Sequence, residues 1–162
     1  MKRVGALGLS LHASTAVILL TLVAWPSAAR ALDCVAVTED AIKELFVEWN
    51  KAVQTGDPDT VVARYASDAV LLPTVENGPE IGPVAIKGYF VHFLADKPNG
   101  AIEGPHNIRI GCNMALDAGL YTFSYGKPDK PPTPARYTFV YEYKGGRWLI
   151  AHHHSSKRPI SR

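Results

Sequence analysis

The chain has 162 residues, 47% of them hydrophobic and 20% charged, with 13 Gly and 12 Pro. That balance supports one globular domain with its own core and excludes disordered, collagen-like and coiled-coil chains. Its 17 Lys and Arg against 15 Asp and Glu give a formal charge of +2, too small to argue for a nucleic-acid partner.

Lys2 and Arg3 precede an uncharged stretch from Val4 to Ala29, which contains Pro26 and runs into Ala29-Arg30-Ala31. A basic start, an apolar run and a small-residue cleavage pattern predict a secretory signal peptide over residues 1–31, removed to leave a single domain over 32–162. A retained anchor is the alternative, because the stretch is long enough to span a bilayer. Taking Lys2, Arg3 and Arg30 from the 17 basic residues leaves 14 against 15 acidic ones, so the apparent basicity belongs to the address segment. The expected location is the periplasm or the exterior, with no membrane association after cleavage. In an oxidising compartment the two cysteines, Cys34 and Cys112, predict a disulfide. Two unpaired buried thiols are the alternative.

From Thr38 the pattern turns helical, with Ile42, Leu45, Phe46, Trp49 and Val53 on one stripe, Thr38 as cap and Gly56 as stop. Asp57-Pro58 opens a short second helix through Tyr65, and Ala69 to Leu72 is a brief strand ended by Pro73. Thr74 to Gly82, centred on Asn77-Gly78-Pro79, is a loop that could cover a pocket mouth. Pro83 starts a third helix with Ile86, Tyr89, Phe90, Phe93 and Leu94 inward, closed by Lys97-Pro98-Asn99-Gly100. The period then drops to two around Ile108, Ile110 and Cys112, and over 120–125, 135–143 and 147–154. Lys144-Gly145-Gly146 marks a tight hairpin. The fold class is α+β, three N-terminal helices packed on a bent antiparallel sheet.

The ending Trp148-Leu-Ile-Ala-His-His-His-Ser-Ser-Lys-Arg-Pro159 resembles the closing strand of the calcium/calmodulin-dependent protein kinase II association domain. That domain belongs to the group resembling nuclear transport factor 2, SnoaL-type cyclases and ketosteroid isomerase. Ala52-Val53-Gln54-Thr55-Gly56-Asp57, the passage from Tyr65 to Leu72, the Gly82 to Phe93 helix and the final hairpin extend the resemblance. It implies a cone in which a strongly curved sheet wraps the first helix around a cavity, and self-association as a homodimer or higher homo-oligomer through the outer sheet surface. It does not imply kinase chemistry, for no Gly-rich phosphate loop or catalytic Asp motif is present. Two positions of the kinase hub's buried arginine cluster align with Tyr125 and Phe139, which argues against anion binding by that route.

Strict alternation places His152 and His154 on one face with Trp148 and Ile150, and His153 on the other. Imidazoles at i and i+2 could hold a metal with His106, but no further ligands sit at the required spacing, so neither a metal nor a cofactor is expected. Arg136 in a cone would need a carboxylate or an anionic ligand; its alternative is the surface. The row Tyr137, Phe139, Tyr141 and Tyr143 reads as core or dimer surface. Asp68 at a helix exit and Asp117 in a turn read as caps rather than bases.

These residues predict an exported cone-fold domain binding a small, partly apolar molecule, with Trp49, Tyr65, Tyr89, Phe90, Arg136, His152 and His154 lining the site. One alternative is an isomerase or cyclase with His152 or His154 as general acid or base. Another is a purely structural oligomerisation module.

Overall fold

The computed structural model describes residues 33–74 and 76–159; the expected signal peptide lies outside the described residues. Helix α1 (Glu39–Gln54) begins where the sequence places its cap, the Thr38 hydroxyl accepting from the Ala41 N–H at 3.2 Å. Ile42, Phe46, Trp49 and Val53 form its buried stripe, and Gly56, at φ +72°, ends it. Asp57 caps α2 (Pro58–Val62) through bonds from the Asp59 and Thr60 N–H groups.

The strands are β1 (Tyr65–Leu72), β2 (Glu80–Ile81), β3 (Pro98–Gly111), β4 (Met114–Tyr125), β5 (Thr133–Lys144) and β6 (Arg147–Lys157), with α3 (Gly82–Phe93) between β2 and β3. They form one curved, open sheet in the order β2-β1-β6-β5-β4-β3. Strands β3 to β6 are an antiparallel meander, and β1 adds to β6 in parallel. Gly145 and Gly146, at φ +61° and +83°, supply the left-handed pair that the β5–β6 hairpin requires.

Four local expectations change. Tyr65 opens β1 instead of closing α2, and Pro98-Asn99-Gly100 starts β3, paired with Tyr125, Ser124 and Phe123. Asp117 lies within β4, fully buried, and not in a turn. The fourth change matters most. Tyr141 pairs with Ile150 while the preceding Val140 pairs with His152, so Ala151 is an extra residue in β6. A bulge of this kind resets the alternation: Ile150 and His153 both face the core, at 2% and 3% exposure.

Cys34 and Cys112 form a disulfide, with Cα atoms 4.8 Å apart. It fastens the segment before α1 to the β3–β4 turn. Asn113 reinforces the clasp, its side chain accepting from the Val35 N–H at 2.8 Å and donating to the Asp33 carbonyl at 3.0 Å.

Candidate functional site

The interior between α1, α3 and the sheet is built from rings. Phe46 and Trp49 of α1 meet Tyr121 and Phe123 of β4 and Phe139 of β5, with centroids 5.4 to 6.4 Å apart. Phe90 of α3 packs against Trp49 and Tyr65. His153 enters this set stacked on Phe139 at 4.0 Å, with Trp49 nearly perpendicular to it at 5.3 Å.

One hydrogen-bond chain fixes the protons. The Trp49 indole N–H donates to the Tyr65 hydroxyl oxygen at 3.1 Å, and Tyr65 Oη lies 2.9 Å from His153 Nδ1. The indole is a donor only, and Nδ1 is the one acceptor within reach of the buried tyrosine proton, so the arrangement that leaves that proton paired has Tyr65 donating to Nδ1. Burial, with smaller contributions from His152 and His154, pushes the His153 pKa down to about 3. The ring is therefore neutral near pH 7, with its proton on Nε2. That nitrogen is buried and has no hydrogen-bond partner.

His153 lines a recess of about 10 Å³, together with Trp49, Leu71, Phe90, Tyr121 and Ser155, which is room for about one water molecule. Tyr121 donates to Ser155 Oγ at 2.5 Å, and Ser155 also bonds Thr74. Burial raises the Tyr121 hydroxyl pKa. Thr74, Tyr89, Phe93 and Phe123 are shared between the recess and an outer vestibule of about 210 Å³. Tyr125, Thr133, Lys130 and Lys157 complete much of the vestibule wall. Lys130 sits 4.1 Å from the Tyr125 ring centroid and shares the Asp96 carboxylate with Lys127. Those two ammonium groups hold the Asp96 carboxyl below its ordinary pKa.

Trp49, Tyr89 and Phe90 thus border the recess, and Tyr65 stands behind it, orienting His153. The other expected residues lie elsewhere. Arg136 is exposed on the opposite sheet face, its guanidinium donating to the Lys157 carbonyl at 3.4 Å. His152 and His154 stand beyond the bulge on that same outer face, His152 half-buried and His154 exposed, paired across to Val140 and Thr138. His153 was missed because three consecutive histidines carry no mark of where a strand gains a residue. Of the two hub-aligned positions, Tyr125 lines the vestibule and Phe139 carries His153.

A second polar cluster lies on the inner face away from these walls. The buried Asp117 carboxylate accepts from His106 Nδ1 at 2.7 Å and from the Tyr137 hydroxyl at 3.2 Å. Burial first, and then Asp117, raise the Tyr137 pKa.

Residues 38–159 match the profile of the calcium/calmodulin dependent protein kinase II association domain. A crystal structure from Xanthomonas campestris, described as a "Putative calcium/calmodulin dependent protein kinase II association domain", is 42% identical, covering 80% of this chain and 96% of that one with a TM-score of 0.72. A nuclear transport factor 2-like protein of unknown function from Pseudomonas putida is 23% identical, over 76% of this chain and 87% of that one, with a TM-score of 0.64. A protein with a cystatin-like fold from Novosphingobium aromaticivorans is 13% identical, over 75% and 82%, with a TM-score of 0.63. No curated protein matches. The curved sheet around α1, the closing strand that carries the three histidines and the span of the profile lead to one assignment: the chain belongs to the calcium/calmodulin-dependent protein kinase II association-domain family and has its nuclear transport factor 2-like fold.

Proposed function

We propose that this association domain works outside the cytoplasm as a homodimer or higher homo-oligomer that binds a small, partly apolar molecule, without kinase chemistry. The observation that carries the reading is the aromatic vestibule of about 210 Å³ above a recess whose histidine N–H lacks a partner. A domain built only for assembly has no use for a buried unpaired donor, which costs stability. The disulfide agrees with an oxidising compartment. Among the described residues no helix is long and apolar enough to cross a membrane.

Self-association is assigned to the outer sheet face. Leu116 and Leu120 of β4, Val140 of β5, and Val70 and Leu72 of β1 share it with His152 and His154. Leu120 is exposed and the other four are half-buried, and apolar surface of this kind on a broad sheet face favours a protein partner over water. An isomerase or cyclase using His152 or His154 finds less support, since neither lines the vestibule or the recess. The Asp117–His106 pair does not line them either.

The test is mass spectrometry of small molecules released from protein purified from the periplasm or medium, with Thr133→Trp as the control that fills the vestibule. A molecule retained by the parent and lost from the variant is expected. A parent that retains nothing and binds nothing in a fragment screen overturns the reading.

A further inference from the structure

We propose, building on that reading, that the ligand is an uncharged, ring-bearing molecule whose single acceptor oxygen enters the recess and takes the hydrogen bond offered by His153 Nε2–H. Three surfaces of the imidazole are occupied. Its Nδ1 edge meets Tyr65, one face stacks on Phe139, and Trp49 packs nearly perpendicular to it. His153 lines the recess and Tyr65 does not; Nε2 itself is covered, so the entering oxygen reaches it by parting the recess wall.

The other hydroxyl groups around the recess satisfy one another, Tyr121 with Ser155 and Ser155 with Thr74. Nε2–H is left as a fixed, neutral donor that no side chain answers. A group that only donates selects an acceptor such as a carbonyl or ether oxygen and rejects an ammonium or an N–H tip. The volumes divide the molecule. About 10 Å³ accepts one oxygen-sized atom, and about 210 Å³ accepts a ring. The ring would lie among Tyr89, Phe93, Phe123 and Tyr125, where Tyr89 and Phe93 are already stacked at 5.5 Å and 18°. A carboxylate tip is disfavoured, because the cations Lys130 and Lys157 line the vestibule and not the recess.

Acetophenone and ethylbenzene are suitable probes, alike in shape and differing by the carbonyl, with benzoate as the charged counterpart. Titration calorimetry would compare their affinities for the full domain and for His153→Phe, which keeps the stacking and deletes the donor. The expected result is that the ratio of the ethylbenzene Kd to the acetophenone Kd falls roughly tenfold in the variant, the worth of one buried hydrogen bond. Nitrogen-15 NMR of the parent domain requires no variant. It should show His153 as the Nε2–H tautomer, with that proton shifted by acetophenone and not by ethylbenzene.

An unchanged Kd ratio, an Nδ1–H tautomer, or benzoate binding more tightly than acetophenone would overturn the assigned ligand class while leaving small-molecule binding in place. If none of the three probes binds and the purified domain carries no molecule of its own, the binding reading fails with it.

Discussion

The Tyr65 hydroxyl stands 2.9 Å from His153 Nδ1, joining the first residue of β1 to the middle of β6 across a sequence separation of 88. It also receives the Trp49 indole N–H. Tyr65→Phe therefore strands two buried polar groups at once. We expect a loss of about 2 to 4 kcal/mol in urea unfolding followed by tryptophan fluorescence. A loss below about 0.5 kcal/mol would show that the chain of bonds does not organise the interior.

Acid should destabilise the domain through His153. Its pKa is depressed to about 3 in the folded chain, against about 6.5 when unfolded. Between those values the unfolded chain holds a proton that the folded chain refuses. The contribution is complete above pH 6.5 and declines as pH falls towards 3, by several kcal/mol on the order-of-magnitude scale of the shift. His153→Phe should flatten the slope of unfolding free energy between pH 4 and 6.5; an equal slope in both proteins contradicts the assignment.

The disulfide closes a loop of 78 residues. Replacing both cysteines, as Cys34→Ser with Cys112→Ser, should cost about 4 kcal/mol in the chain-entropy picture. Asn113→Ala in the oxidised protein should cost less, about 1 kcal/mol, since the covalent link still holds the segment next to Asp33 and Val35. Denaturant midpoints of the two variants rank these effects, and the reverse ranking would refute the clasp.

The buried Asp117 depends on His106 and Tyr137. His106→Ala leaves a fully buried carboxylate with one neutral donor, for an expected loss of about 3 kcal/mol. Adding Asp117→Asn should recover part of that loss by removing the charge. No recovery in thermal unfolding would mean that the histidine acts through packing alone.

If the proposed self-association runs through the outer sheet face, Leu120→Asp should lower the mass seen in light scattering to that of a monomer while leaving the melting temperature within a few degrees, because the side chain is already 37% exposed. A monomeric parent counts against self-association, and an assembled variant of unchanged mass counts against this face.

Much of the architecture was legible because local signals agreed with one another. The stripe on α1, the Thr38 and Asp57 caps and the glycine pair at the last hairpin each carry one structural meaning. The alternation along β5 correctly separated Arg136 and Thr138 from Tyr137 and Phe139. The recess was legible only in its aliphatic and aromatic walls. Trp49 and Phe90 announce themselves by helical spacing, but a strand bulge is decided by pairing with two neighbours, and no residue between Ile150 and His154 signals it. One added residue exchanged the inward and outward histidines. Asp117 was misplaced for a related reason: Asp is a turn former in isolation, and only its partners His106 and Tyr137, on the two adjoining strands, make it tolerable inside.

The parallel pairing of β1 with β6 has a bearing on how the protein comes into being. As the domain folds, β1 has one long flank open until β6 lies down between it and β5. The strand that carries His153 therefore joins the two parts of the sheet. Without β6, the helices could coil and the meander could start, yet two strand borders would stay exposed. Docking of that one strand both seals the sheet and sets the buried imidazole in its place.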